Sequence, residues 1–392
     1  MRVLQVLGGM SWRYGGTTAA VLPMCDALCQ IPGVEVSIAS TDADGPGRRL
    51  TPDTAPHTLA QVHLFSLDWS NRWKYSAGLD RWLQRQAHKY DVIHSHGAWG
   101  FCNWAAARAA KRHGVPLVVN PHGMWSNYTF TQGRRLKAAY WSLIERPLAR
   151  RADKLVFTSQ GEAKEFARHG LRTASAVVPL GLPPDAWERP QCSDWLRLQL
   201  GGRDRGRPLV LYLSRIHPKK GLVDILLPAF AKLKTDAFLV IAGGSDDTTP
   251  GYTLQVRAEI DRLGLADRVQ LLGPIRSEDR WIAFDGADVF VLPSHQENFG
   301  LVITESMARG CPVVVSDRAF ACEVVAAADA GCIVPLDPSA TSEAIDHLLQ
   351  NPAFRLMLGN RGRAYTRTHL RWSDIAQQLF DIYASLSTAP RK

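Results

Sequence analysis

Glu297 and Glu305 stand eight positions apart in the stretch SHQENFGLVITESMARGCPVV (294–314), one ahead of an apolar run and one inside it. The segment before them, ADVFVLPS (287–294), is short and rich in Val and Phe, the pattern of a buried strand. Gly310-Cys311-Pro312 then reads as a helix stop, and PVVVS as the next buried strand. The spacing predicts a helix over about 299–309 that joins two parallel strands. Glu297 falls in the loop at the carboxyl end of the first strand. Glu305 falls about two turns into the helix, roughly 9–12 Å further along its axis at 1.5 Å per residue. Ligands of open α/β sheets bind at the carboxyl ends of the strands, and backbone N–H groups at a helix start favour an anion. A loop carboxylate, the N–H groups of Asn298, Phe299, Gly300 and Leu301, and a deeper carboxylate suit a long anionic ligand that carries hydroxyl groups.

Cations for such a ligand stand upstream. The strand-like LVLYLS (209–214) runs into Arg215-Ile216-His217-Pro218-Lys219-Lys220-Gly221, ahead of the helix-like GLVDILLPAFAKL. Arg215 matches a phosphate bidentately and Lys220 adds a point charge, as a diphosphate leaving group requires. Near the N-terminus, Gly8-Gly9 and Gly15-Gly16-Thr17-Thr18 flank the first strand–helix loop, where missing side chains let backbone approach a ligand. The pattern is not G-x-G-x-x-G and lacks the acidic partner of a dinucleotide site, which disfavours nicotinamide or flavin. His96 in HSHGAWG and His122 in NPHGM stand at the ends of two further strands beside glycines, placed for ligand contact, with His96 a candidate acceptor-binding residue. Asp42 and Asp44 form a D-x-D pair of the kind a hard cation bridges, but they lie in the basic half, far in sequence from the phosphate residues. No His/Cys cluster has zinc spacing and no G-x-S-x-G elbow occurs. Neither a metal nor a cofactor is expected.

Positioning these residues takes alternating strands and helices along the whole chain. RVLQVLGG, VEVSIAST, YDVIHSHG, PLVVNPHG, KLVFTS and SAVVPLG read as strands in the first half. LVLYLSR, AFLVIAGG, VQLLGP, ADVFVLPS, CPVVVS and GCIVPL do so in the second. The fold class is α/β: two Rossmann-like, doubly wound parallel-sheet domains facing across a cleft, the first over 1–185 and the second over 196–372. The Pro-rich segment 181–195 reads as the linker, and the tail after Trp372 as an amphipathic helix.

The net charge of +9 lies wholly in residues 1–190, which hold 23 Lys+Arg against 14 Asp+Glu, while residues 191–392 balance at 23 and 23. The excess clusters with Trp and Tyr at 69–90 and 124–153. No recognition-helix, zinc-finger or RNP pattern accompanies it, so nucleic acid is not expected, and an anionic membrane surface is the better partner. No apolar stretch reaches the roughly 18 residues of a membrane span. The start, MRVLQVLGGM, reads as a first strand rather than a signal peptide, and seven scattered cysteines without C-x-x-C read as reduced thiols. The expectation is a cytoplasmic protein at the inner face of the cell membrane.

With these pieces in place the chain resembles the retaining, nucleotide-sugar-dependent glycosyltransferases of group 1, or family 4, which have the GT-B fold. The resemblance rests on Glu297-x7-Glu305 with Phe299-Gly300-Leu301, on Met307-Ala308-Arg309-Gly310-Cys311-Pro312-Val313-Val314, and on Ser214-Arg215 through Lys220-Gly221. The early glycines, PHGM, TSQGE and VVPLG add to it. It implies that the second domain holds a UDP- or GDP-sugar. Arg215 and Lys220 would grip the diphosphate, Glu305 the ribose hydroxyls, and Glu297 with the backbone of Asn298–Leu301 the sugar ring. Gly15 and Gly16 would close on the phosphates from the first domain. His122 would stand near the reacting carbon, so that His122 and Glu297 carry the catalytic part. Base contacts are expected near Gly273-Pro274-Ile275. The acceptor would be a saccharide, lipid-linked, as in surface polysaccharide or lipopolysaccharide assembly. Transfer would retain configuration and need no metal, and the tail helix (373–392) would cross back to the first domain. Two features depart from the family pattern: Pro23 interrupts the first helix, and Asp317-Arg318-Ala319-Phe320-Ala321-Cys322-Glu323 replaces a small, Gly-rich turn. A nucleotide-sugar 2-epimerase of the same architecture and a non-catalytic binding protein are the competing readings.

Overall fold

The computed structural model describes every residue except 70–71, 132, 246–248, 276–278 and 389–392. The chain forms two compact units, one of residues 1–181 with the tail from Trp372, the other of Leu182–Arg371. Among the described residues the first unit carries seven parallel strands: β1 (Arg2–Leu7), β2 (Glu35–Thr41), β3 (Gln61–Phe65), β4 (Val92–His96), β5 (Leu117–Asn120), β6 (Lys154–Phe157) and β7 (Ser175–Val177), ordered β3-β2-β1-β4-β5-β6-β7. The second carries six, also parallel: β8 (Leu209–Leu213), β9 (Phe238–Ala242), β10 (Val269–Gly273), β11 (Val289–Leu292), β12 (Val313–Ser316) and β13 (Gly331–Val334), ordered β10-β9-β8-β11-β12-β13. The central strands are near-continuous apolar runs because helices cover both faces of such sheets. Each unit has its own core, with Leu4, Ile93, Phe101 and Phe157 in the first and Leu211, Phe238, Phe290 and Val314 in the second.

Strand β3 is missing from the strands read off the sequence. It lies at the sheet edge and is only half-buried, so it lacks the apolar run that marks the central strands. Pro23 does not interrupt the first helix, which runs from Gly16 to Cys29 through it. The expected linker also divides differently. Leu182, Ala186 and Trp187 are buried with Trp281 and Ala308, and the Leu182 N–H donates to the Leu370 carbonyl at 2.6 Å, so the second unit begins at Leu182. Arg309 of the MARG sequence secures this segment. Its buried guanidinium pairs with Asp285 at 2.7 Å and donates to the Arg189 carbonyl at 2.9 Å. The tail helix, Trp372–Ser387, buries Ile375, Ala376, Leu379 and Tyr383 and packs on the helix Gly16–Cys29 of the first unit. Residues 389–392 of the expected tail lie outside the described residues.

In both sheets the order reverses beside the first strand of the unit, between β1 and β4 and between β8 and β11. Connections on the two sides of such a point leave toward opposite faces of the sheet and open a crevice at the strand ends. Those loops hold Gly8 to Gly15 after β1, Gly97 to Gly100 after β4, Ser214 to Gly221 after β8, and Pro293 to Gly300 after β11. Among the described residues no helix is long and apolar enough to cross a membrane.

Candidate functional site

In the second unit the two switch-point loops meet through an ion pair between Lys220 and Glu297, both side chains largely buried. The Lys220 loop is a single 3-10 turn, Pro218–Lys220, started by His217, whose Nδ1 accepts the Lys219 N–H at 3.0 Å. Gly221 ends it at φ +71°, where an added Cβ would lie 2.1 Å from the Pro293 carbonyl oxygen, so only glycine lets the two loops approach this closely. The Tyr212 hydroxyl donates to the Arg215 carbonyl at 2.9 Å and steadies the start of the loop, while Arg215 itself stays exposed. Burial alone would raise the Glu297 carboxyl, but Lys220, with Lys219 and Arg215, outweighs it and holds the group below the usual carboxylate range. Burial likewise pushes the Lys219 amine down to about 8, although Glu297 works against that. Lys220, Lys219 and Arg215 thus gather cationic groups about one carboxylate, the kind of surrounding that suits a diphosphate. Lys219, in the same run, is a further cation beside Glu297 that the sequence reading does not single out.

The helix after Glu297 begins at Leu301, not at 299. Gly300 caps it in the left-handed region (φ +66°), and an added Cβ would meet Glu297 Cγ at 2.8 Å and Ile303 Cδ1 at 2.9 Å. Asn298 and Phe299 therefore belong to the loop, Phe299 with its ring buried, and of the four expected anion-facing residues only Leu301 opens the helix. Glu305 lies one turn in rather than two. Its Oε1 is 3.3 Å from the guanidinium of Arg280, which opens the helix Arg280–Asp285 and lies over the Trp281 ring at 4.6 Å. Burial raises the Glu305 carboxyl and Arg280 only partly offsets it. Nothing local in the sequence marks Arg280 as the partner of a residue 25 positions on. The divergent segment 317–323 also takes part: the Phe320 N–H donates to the Glu297 carbonyl at 2.9 Å, and Glu297 bridges Ala319 in parallel. Ile275 follows β10 at the sheet edge, half-buried against the core.

In the first unit the side chains that meet His122 are neutral. His122 follows β5 in the left-handed region (φ +50°), with its N–H donated to Asn120 Oδ1 at 3.1 Å. The next N–H, of Gly123, donates to the Glu162 carboxylate at 2.5 Å, which gives the Glu of TSQGE a role in shaping this loop. His122 Nε2 lies 3.0 Å from His96 Nδ1, and His96 Nε2 lies 2.7 Å from Gln5 Oε1. With 2% exposure and both ring nitrogens engaged, His96 is not placed to touch an acceptor directly; it lies beneath His122. His94 Nδ1 lies 2.7 Å from the Tyr383 hydroxyl of the tail helix. Burial holds His122 down to about 4 and His94 to about 3, and with the neighbouring imidazoles it holds His96 well below its ordinary value. All three are neutral at physiological pH.

Gly15 (φ +65°) and Gly16 face open space, as a backbone that receives a ligand would, and Gly15 caps the helix Gly16–Cys29. Gly8 and Gly9 differ: Lys74 Cγ would meet a Cβ on Gly8 at 3.2 Å, and the Tyr14 ring would meet one on Gly9 at 2.7 Å. These two glycines make room for protein side chains. Lys74, itself at φ +59°, sets its ammonium on the Tyr14 hydroxyl and 3.8 Å from that ring's centroid. Burial pushes its amine down to about 8, and no carboxylate pairs with it among the described residues. Asp42 is held by the Leu67 N–H (2.8 Å) and Arg49 (3.4 Å), and Asp44 by Ser11 and Arg13 (3.5 Å), so both carboxylates of the D-x-D pair serve the loop.

Two doubly wound units with ligand loops at both switch points, one of them cationic, define a two-domain α/β enzyme of the GT-B architecture. Residues 199–365 match the family described as glycosyl transferases group 1, and residues 15–181 match the glycosyl transferase 4-like domain. The chain belongs to the group 1 glycosyltransferases. A D-inositol 3-phosphate glycosyltransferase of Xylanimonas cellulosilytica is 31% identical over 326 residues, covering 79% of this chain and 76% of the relative. A protein of the same name from Streptomyces avermitilis is 29% identical over 390 residues, covering 96% and 79%. Among solved structures, a sucrose-phosphate synthase of Thermosynechococcus elongatus superposes with a TM-score of 0.80 at 23% identity, covering 100% of both chains. Anabaena HepE in complex with UDP and glucose does so at 0.79 and 23%, covering 98% of this chain and 100% of the other. At that identity the structural likenesses speak for the fold.

Proposed function

We propose that this enzyme moves a sugar from a UDP- or GDP-sugar to a hydroxyl of an acceptor, with retention of configuration and without a metal. The observation that carries the proposal is the Lys220–Glu297 pair, ringed by Lys219 and Arg215, with Glu305 one helical turn beyond Gly300. In this reading Arg215 and Lys220 take the diphosphate, and the cations stabilise the charge that gathers on it as the glycosidic bond breaks. Glu297 accepts from sugar hydroxyls, Glu305 from the ribose, and the loop backbone at 298–301 completes the sugar pocket. Gly15 and Gly16 approach the phosphates, His122 contacts the sugar near the reacting carbon, and the base rests near Ile275. The acceptor hydroxyl attacks on the face the diphosphate leaves, and the departing phosphate takes its proton. Support comes from the Anabaena structures with UDP, and with UDP-glucose, on the same fold.

Thermal stability with UDP, GDP, ADP and NAD, each with and without magnesium, tests this. A ligand at about 100 times its Kd adds roughly 2.7 kcal/mol, a shift of several degrees. A shift with UDP or GDP that ignores magnesium is the expected result, and a shift with NAD alone would overturn the proposal. Product isomer formed without acceptor would favour the epimerase reading, and nucleotide binding without any sugar transfer the non-catalytic one.

For the acceptor, a lipid-linked saccharide at an anionic membrane remains the reading. WaaG, a glycosyltransferase involved in lipopolysaccharide biosynthesis, shares the fold (TM-score 0.68). In the basic segment, Leu136 and Leu143 are 72% and 76% exposed, and Arg134 and Arg135 are exposed as well. Lys137 donates to the Thr129 carbonyl at 2.6 Å and lies near the Trp99 ring, so it is engaged within the protein. Arg134→Glu with Arg135→Glu should weaken binding to anionic vesicles by about 1 kcal/mol per charge removed; unchanged sedimentation with vesicles would remove the membrane contact. Lys74 favours a second reading, an acceptor bearing phosphate or carboxylate, in line with relatives named for D-inositol 3-phosphate.

A further inference from the structure

His122 does not stand alone at its switch point. Its Nε2 is 3.0 Å from His96 Nδ1, the rings stack with centroids 5.3 Å apart, and His96 Nε2 is 2.7 Å from Gln5 Oε1. Below them His94 packs on His96 with centroids 4.1 Å apart and meets the Tyr383 hydroxyl at 2.7 Å. Gln5, His94 and His96 are fully buried or nearly so, on the neighbouring strands β1 and β4, and Gln5 is the one polar residue among the buried positions of β1. Buried polar groups are costly unless hydrogen-bonded, and a chain of such bonds holds its members in fixed orientations.

The chain of contacts sets the protons. In the orientation of the Gln5 amide that sets Oε1 toward His96, His96 carries its proton on Nε2 and donates it to Gln5, while Gln5 Nε2 is buried without a partner among the described residues. A neutral imidazole then has a lone pair on the other nitrogen, and His96 Nδ1 accepts. His122 must therefore donate to it from Nε2–H, which leaves Nδ1 as the His122 lone pair. That atom has no hydrogen-bond partner among the described residues, and the His122 side chain is only half-buried. The left-handed backbone of His122 is pinned by Asn120, and the following peptide by Glu162.

We propose that His96 is a positioning residue: supported by Gln5, it locks His122 in the Nε2–H tautomer and turns the Nδ1 lone pair outward as a fixed acceptor for a substrate hydroxyl. The proposal rests on the reading of His122 as the ligand-facing histidine of the first unit. No carboxylate takes part in the chain, so His122 works as a neutral hydrogen-bond acceptor rather than as a titrating base. Burial supports this by keeping all three rings unprotonated at neutral pH.

The test pairs nitrogen NMR of histidine-labelled enzyme with kinetics of two substitutions at His96. In the wild type, the His122 signal should report a proton on Nε2 and a lone pair on Nδ1. His96→Asn keeps an acceptor at the δ position, whereas His96→Leu removes it. His96→Leu should lower kcat roughly 10- to 100-fold, converted from about 1.4–2.7 kcal/mol at tenfold per 1.36 kcal/mol, with KM for the donor within twofold and a mixture of His122 tautomers. His96→Asn should recover most of the lost kcat and the single tautomer. A wild-type His122 protonated on Nδ1, or equal loss of kcat in both variants, would overturn the proposal. Full transfer activity in His122→Ala, with the wild-type tautomer as expected, would sink the reading of His122 instead, so the two failures are told apart.

Discussion

Ion pairs join the ligand loops of the second unit, whereas neutral donors and acceptors hold the His122 side chain in the first. Lys220 pairs with Glu297 and Arg280 with Glu305 in the second, while Gln5, His96 and His122 form the chain in the first. The two sheets share the order of six strands and a reversal point, so the contrast comes from a few side chains at equivalent strand ends. Charge on charge suits a ligand that arrives with its own negative charge and must be held while more develops. A neutral network suits a hydroxyl-bearing group whose orientation matters more than its charge.

The largest effect should come from breaking the charged side. Glu297→Ala leaves Lys220 buried without its partner and removes the sugar contact, which should cost about 3 kcal/mol, roughly a hundredfold in kcat/KM for transfer. A loss smaller than that of His122→Ala would reverse the ranking of the two sites. Glu305→Ala should weaken nucleotide binding by about 1.5–3 kcal/mol, roughly 10- to 100-fold by calorimetry; an unchanged affinity would place the ribose elsewhere. Lys74→Met sharpens the comparison from the first unit, where this ammonium is an exception to the neutral pattern. It should raise KM about tenfold for a phosphorylated acceptor, the low end of a charged hydrogen bond, and leave a neutral acceptor untouched. Equal effects on both acceptors would make Lys74 a structural residue of the Tyr14 loop.

The smallest effect near neutrality, growing with acid, is a difference in pH response. His94, His96 and His122 all have folded values below the ordinary 6.5, so between there and their folded values the unfolded chain binds more protons. Stability that these groups provide is present above about 6.5 and is lost as pH falls toward about 4. Glu145, raised by burial to about 7, works in the opposite sense in the same unit, but one carboxyl faces three imidazoles. In the second unit the depressed Glu297 loses its contribution only below the usual carboxylate range, and the raised Glu305 favours the folded state on protonation. From pH 6.5 to pH 4.5, protection from hydrogen exchange relative to the intrinsic rate at each pH should therefore fall first in β1, β4 and β5. Simultaneous loosening of β8 and β11 would show that the histidine network does not set the acid response.

Much of this arrangement is written locally. The central strands announce themselves as apolar runs, and all six strands of the second half stand where their Val-rich segments place them. Glu297, Arg215, Lys220 and His122 stand in loops that follow a strand, as periodicity and the nearby glycines indicate, and Glu305 lies inside the helix that follows Gly300. The edge strand β3 was not legible, since a half-buried strand carries no apolar run. Nor was the shift of the helix start to Leu301, because Gly300 is compatible with a helix interior in sequence and is excluded from it only by its left-handed backbone.

The sequence by itself determined the alternation of elements, the two-sheet class and the chemistry available at each strand end, because those depend on neighbours a few residues apart. Tertiary structure decided which groups face one another: Lys220 with Glu297 across 77 residues, Glu305 with Arg280, His96 under His122, Tyr383 on His94 across 289. Such pairings depend on strand order and on which loops a reversal in that order brings together, and no local pattern of residues encodes that.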